Sequence, residues 1–212
     1  MAVTTVYGMT ESGKSYFTQN NYMKKYDRVI VFDFMNCFSG GDVVFLKDAS
    51  DAQKILKKFY KKDSYKIIIR VSRNANARFL CDLAISLSCA LGRTLKNGKR
   101  LLFVIDEADK VVTSHFQSKR VKHLVNVGRH DNVDSLFIAR NPTRLHTDIR
   151  VNASEIICFR LPLAASVKDF VNNFGKTNCN RIKNLEKYNC FYWNDTGQVK
   201  ILNSKGVVTW QE

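Results

Sequence analysis

Six nearly continuous apolar runs constrain this chain more than any other feature: "AVTTVY" at 2–7, "RVIVFDF" at 28–34, "YKIIIRV" at 65–71, "RLLFVIDEAD" at 100–109, "SLFIA" at 135–139 and "EIICFRL" at 155–161. Runs of Val, Ile, Leu and Phe without polar alternation fit strands covered on both faces, the condition of a parallel sheet. Helical stretches lie between them near 14–25, 49–61, 76–95, 114–127 and 164–175. Alternation of this kind predicts an α/β three-layer sandwich with right-handed crossovers. After residue 176 the pattern becomes "YNCFYWNDTGQVKILNSKGVVTW", short strands around Asp195-Thr196-Gly197 and Ser204-Lys205-Gly206, which reads as an antiparallel meander. With 212 residues the expectation is one domain, a core at 1–175 with the meander at 176–212 as its appendage.

The chain carries 34 Lys and Arg against 19 Asp and Glu, a formal charge of +15. Such an excess favours a polyanionic partner, because phosphates reward basic side chains by counterion release. No apolar run approaches the roughly 20 residues that span a bilayer, and the N-terminus lacks the basic and apolar regions of a secretory signal, so a soluble intracellular protein is expected. Cys37, Cys81, Cys89, Cys158, Cys179 and Cys190 contain no C-x-x-C pair, and the four histidines follow no ligand spacing. Reduced core thiols are expected rather than zinc ligands.

The first run leads straight into Gly8-Met9-Thr10-Glu11-Ser12-Gly13-Lys14-Ser15, which matches G-x-x-x-x-G-K-[ST] between a strand and a helix. In that setting the backbone N–H groups of residues 8–16, up to Tyr16 on the helix, face phosphates, Lys14 reaches the β and γ oxygens, and Ser15 binds Mg²⁺. The fourth run ends in Asp106-Glu107. At a strand tip Asp106 would hold Mg²⁺ through water while Glu107 polarises an attacking water, a division of labour suited to hydrolysis of ATP. Asp33, at the tip of "RVIVFDF", reads as the cap of a turn before Gly40-Gly41.

A Walker A loop followed by a Walker B strand ending in Asp-Glu resembles the ASCE (RecA-like) class of P-loop NTPases. Within it, "VGRHDNVDSLFIARNPTRLHTDIRVNASEIICFRL" at 127–161 resembles the FtsK/HerA superfamily of DNA-pumping ATPases, and in so short a chain the genome-packaging ATPases of tailless icosahedral viruses with internal membranes. The resemblance covers about residues 1–161, and it offers a second reading of Asp33, as the acidic residue that relatives carry at the tip of the second strand. It implies that Arg129, after Gly128, contacts a nucleotide held by the neighbouring subunit. It also implies that a polar group at "FIARNPTRL" senses the γ-phosphate. Relatives often carry glutamine there; this chain has Arg140 followed by Asn141, and both are hydrogen-bond donors.

Three basic clusters are candidates for DNA contact. "KILKKFYKK" at 54–62 interleaves its lysines with apolar residues as an ordinary solvated helix face does. "RVSRNANAR" at 70–78 and "RTLKNGKR" at 93–100 read as loops, so Arg73, Arg78, Lys96, Lys99 and Arg100 are the better candidates. No signature of base-sequence recognition occurs, and DNA binding is expected to be salt-dependent and indifferent to sequence.

The resemblance thus implies an Mg²⁺-dependent ATPase that moves double-stranded DNA into a viral capsid. Its partners would be copies of itself in a ring, expected to be a hexamer, and capsid-vertex or inner-membrane proteins; its place would be the host cytoplasm or the virion's packaging vertex. The alternatives are a HerA-like DNA translocase, a filamentous-phage assembly ATPase and, in another class, a nucleotide or metabolite kinase.

Overall fold

The computed structural model describes residues 3–72, 75–96, 98–113, 115, 118–161 and 177–211. The expected helix at 164–175 and the first residues of that at 114–127 lie wholly or partly outside them. Among the described residues ten strands form one sheet, in the order β10-β9-β8-β7-β1-β6-β5-β2-β4-β3. Seven are parallel neighbours: β1 (Val3–Tyr7), β2 (Arg28–Asp33), β3 (Asp42–Phe45), β4 (Tyr65–Arg70), β5 (Leu101–Ile105), β6 (Val133–Ala139) and β7 (Glu155–Phe159). The antiparallel strands β8 (Cys190–Asn194), β9 (Val199–Leu202) and β10 (Val208–Gln211) complete it. This is the predicted mostly parallel α/β sandwich with its C-terminal meander.

The apolar runs form strands because each buries both faces. Along β2 and β5, Ile30, Phe32, Leu101, Phe103 and Ile105 enter one core, while Val29, Val31, Leu102 and Val104 enter the other. The first core is covered by α2 (Ala49–Phe59), α3 (Ala77–Arg93) and α5 (Lys119–Val127), through residues such as Ile55, Ile85 and Leu124. The second is covered by Phe17 of α1 (Lys14–Asn21), Met23 and Phe38. Short polar caps start the helices: Asp48 accepts from the Asp51 N–H for α2, Asn76 from that of Phe79 for α3, and Ser118 from those of Arg120 and Val121 for α5.

One feature differs from the sequence reading. β3, whose short apolar stretch Val43-Val44-Phe45 is not among the six expected strands, has largely exposed residues, and Gly41 lets the chain pass the β4 edge: a Cβ there would stand 2.5 Å from the Lys66 carbonyl oxygen. The C-terminal meander is attached to the main sheet through β8, which pairs with β7 over five residues, from Glu155 opposite Asn194 to Phe159 opposite Cys190.

The position of β6 assembles the functional edge of the sheet. This strand lies between β1 and β5, so the tips of β1, β6 and β5 stand side by side.

Candidate functional site

From the tip of β1 the chain turns through residues 8–13 onto α1. Gly8 has φ 155° and close neighbours: a Cβ would stand 2.7 Å from both the Phe159 Cβ and the Ser12 Oγ. Glu11 (φ 60°) and Gly13 (φ 100°) take the left-handed region, a backbone course that gathers N–H groups into an anion-binding hollow at a helix start. Gly13 is the residue before α1, whose first two residues are Lys14 and Ser15. The Lys14 ammonium is buried and donates to the carbonyl oxygens of Gly8 at 2.8 Å and Met9 at 2.6 Å. Burial lowers its pKa, and the facing Glu107 and Asp106 carboxylates oppose that shift. Met9 and Tyr16 are exposed beside the loop.

Asp106 continues the β5 ladder, donating its N–H to the Phe32 carbonyl at 3.0 Å. Its carboxyl is pushed up to about 7, first by burial, then by Glu107 and Asp33 nearby. Its Oδ2 is buried without a hydrogen-bond partner, as is the Ser12 hydroxyl in the loop. A buried acid crowded by acids, with an unpartnered oxygen beside a lysine-bearing loop at a helix start, fits a dication and a phosphate chain, and Ser15 and Asp106 are the residues that could hold the metal. Asp33 does not share this exposure to the loop: its two oxygens accept from the Cys37 and Phe38 N–H groups at 2.9 and 3.1 Å, so it caps the turn after β2.

The chain turns sharply after β5. Glu107 has φ 48° and leads into the short α4 (Ala108–Val111). Its carboxylate is buried, with Arg140 Nε at 2.9 Å and Lys110 Nζ at 3.2 Å. Arg140, at the tip of β6, is thereby brought against the residue expected to polarise water. Asn141 is used differently: its Oδ1 accepts from the Thr143 N–H at 3.0 Å and hydroxyl at 2.8 Å and caps the following 3₁₀ turn. Asp109 is buried beside the two tips, and its Oδ1 has no hydrogen-bond partner. Burial, then the Glu107 carboxylate, raises its pKa, and the Arg140 and Asn141 backbone opposes that shift. Sequence reasoning missed Asp109 and Lys110, although Lys110 stands three residues after Glu107, the spacing at which helical side chains meet.

Arg129 lies far from this cluster. It is exposed in the 3₁₀ turn Gly128–Asp131 that precedes β6, while the loop follows β1, so the length of β6, about 20 Å, separates them. Within one chain it cannot serve the loop. Its turn is braced by Asp131, which accepts two bonds from Arg93, at 2.6 and 3.2 Å, and pairs with His123 Nε2 at 2.7 Å. Cys89, His123 and Asp131 bring their ligand atoms within 4.8 Å of one another, a juxtaposition the sequence spacing did not suggest. The Arg93 guanidinium already occupies both Asp131 oxygens, so this is an ion-pair brace rather than a metal centre.

The candidate DNA contacts do not share one surface. Arg73 lies outside the described residues, and Arg78 is exposed at the start of α3, on the loop's edge of the sheet. Lys96 and Lys99 are exposed in the connection before β5, at the opposite edge, and Lys99 Nζ is 3.8 Å from Asp63. Arg100 is committed to Asp134 by two bonds of 2.6 and 2.8 Å, so it is an internal ion pair. No described helix is long and apolar enough to cross a membrane.

No family model matches the sequence, and no curated protein does. Solved structures do match. The genome-packaging NTPase B204 of Sulfolobus turreted icosahedral virus 2, in complex with ATP-gammaS, has a TM-score of 0.74 at 14% identity, covering 93% of this chain and 94% of that one. The B204 DNA-packaging ATPase of Sulfolobus turreted icosahedral virus has a TM-score of 0.65 at 17% identity, covering 93% and 95%. The TcpA conjugation coupling protein of pCW3, with ATPgS, has a TM-score of 0.50 at 18% identity, covering 92% of this chain and 58% of that one. Coverage of 93% extends the likeness beyond residues 1–161 into the C-terminal strands. The chain has the P-loop NTPase fold, in the form that a viral genome-packaging NTPase takes.

Proposed function

We propose that this protein is an Mg²⁺-dependent ATPase whose hydrolysis drives double-stranded DNA into a viral capsid, acting as a single domain in a homo-oligomeric ring, expected to be a hexamer. The observation that carries the reading is the meeting, on three adjacent strand tips, of the phosphate loop, Asp106-Glu107 and Arg140. The structural neighbours, genome-packaging NTPases in complex with ATP-gammaS and AMPPCP, supply the direction in which that site is read.

In this reading the loop N–H groups and Lys14 hold the β and γ phosphates. Mg²⁺ on Ser15 and Asp106 would neutralise charge on the phosphate oxygens. Glu107 takes a proton from the attacking water, and its pairing with Arg140 and Lys110 fixes its direction until the γ-phosphate competes for Arg140. Arg140 is then the sensor, and Asn141 supports it through the cap. Arg129 acts on the next subunit's nucleotide, the one route to a site open to it from the far edge of the sheet. The net charge of +15 suits a sequence-indifferent grip on phosphates.

Mixing variants tests the ring. Lys14→Ala alone and Arg129→Ala alone are expected to lose turnover, by about 10³-fold or more for the arginine. Mixed one to one, they should regain part of it, since a Lys14→Ala subunit lends its intact arginine to an Arg129→Ala neighbour. A mixture as inactive as its components contradicts action between subunits.

A further inference from the structure

A cleft of about 350 Å³ opens beside the phosphate loop, on the side away from the catalytic carboxylates. Met9 and Glu11 of the loop form one wall, Phe159 and Arg160 at the end of β7 another, and Lys187 and Tyr188 the third. β1 has two neighbours in the sheet: β6, which brings Arg140 and Glu107, and β7, whose end leads to this cleft. A triphosphate seated with its γ end at Lys14 and Glu107 therefore projects its nucleoside towards β7.

The third wall is held in a fixed place. Tyr188 has φ 69°, in the left-handed region that an aromatic residue rarely adopts, and it holds its ring against the loop: Cδ1 would be 3.3 Å from a Cβ at Gly13. Two residues later Cys190 pairs with Phe159, so the β7–β8 register fixes where Tyr188 stands. Phe159 is immobilised beneath, edge-on to Phe17 at 5.8 Å. Tyr188 remains 45% exposed, and Lys187 Nζ lies over its ring, 5.0 Å from the centre, a flexible cation that a stacking base would displace towards the phosphates. An exposed aromatic held in a strained backbone, at the mouth of a cleft with two cations, has the chemistry of a base platform with a ribose-phosphate side.

We propose that this cleft is the nucleoside end of the site, with Tyr188 stacking on the base and Arg160 and Lys187 attending the ribose and α-phosphate. The proposal rests on the nucleotide reading of the loop, and it gives the C-terminal segment a role, since residues 187–190 complete the site begun at residue 8. A ring offers every base a π-face, so purine triphosphates, which stack over more area, bind better than pyrimidine ones without being selected by hydrogen-bonding edges.

The test is equilibrium binding of ATP, CTP and inorganic tripolyphosphate, each with Mg²⁺, to the full chain and to Tyr188→Ala and Tyr188→Phe. Expected is an ATP affinity about 5- to 100-fold weaker in Tyr188→Ala, a loss of the preference for ATP over CTP, near-native values in Tyr188→Phe and unchanged tripolyphosphate binding. Tripolyphosphate binding also reports that each variant is folded. Unchanged ATP affinity in Tyr188→Ala overturns the base platform and leaves the phosphate loop standing. Equal weakening of ATP and tripolyphosphate overturns it too, since Tyr188 would then act by shaping Gly13. A wild-type chain that binds neither overturns both readings.

Discussion

Asp106 carries the cost of this site at the scale of one residue. Its carboxyl, pushed up to about 7 from an ordinary 3.8, keeps a proton in the folded chain over a range where the unfolded chain has lost it. The folded state thus binds more protons between about pH 4 and pH 7, and stability falls as pH rises through that window. Removing the charge should relieve the strain: without nucleotide or Mg²⁺, Asp106→Asn is expected to melt above the wild type at pH 8 and to lose part of the slope between pH 4 and 7, while losing metal-dependent turnover. Thermal unfolding across pH checks this, and parallel curves for the two proteins would contradict it. The sequence revealed Asp106 and Glu107 because an apolar strand ending in two acids is a local pattern. It left Arg140 and Asn141 as alternatives, because what separates them is contact: one meets Glu107 across 33 residues, and the other commits its oxygen to a turn.

At the scale of elements, packing between α3 and the turn before β6 positions Arg129. Gly92 is buried near the end of α3, and a Cβ there would stand 2.1 Å from the Asp131 carbonyl oxygen. Gly92→Ala must push the turn that carries Arg129 away from α3, disturbing the Arg93–Asp131–His123 brace. A loss of about 1–3 kcal/mol is expected from such overpacking, read by denaturant unfolding. An Ala variant as stable as the wild type would contradict this close approach. The brace itself was not legible: Arg93, His123 and Asp131 sit on α3, α5 and the turn, and no spacing in the sequence links them. The helices α1, α2, α3 and α5 and the central strands were legible, because both their periodicity and their apolar content are local. The edge strand β3 was not, since its pairing depends on Gly41 passing close to Lys66.

At the scale of the whole molecule, one sheet holds two separate functions apart. The loop, Asp106, Glu107 and Arg140 occupy the edge where the parallel strands end, and Arg129 the edge where they begin. In the proposed ring a single copy would present a nucleotide end and an arginine end about one strand length apart, as head-to-tail contact requires. The meander was recognised as antiparallel strands, but its attachment was not, because the pairing of Phe159 with Cys190 spans a stretch no local signal bridges. That pairing is also what brings Tyr188 to the loop. The central claim is that the site hydrolyses ATP in response to DNA. Its most direct test is steady-state ATP hydrolysis by the wild-type, Lys14→Ala and Glu107→Gln chains, with and without double-stranded DNA, over a series of salt concentrations. The account predicts turnover that rises with DNA, weakens as salt screens the phosphate contacts, and falls by about 10²-fold or more in both variants. Turnover indifferent to DNA, or retained in Glu107→Gln, would contradict it.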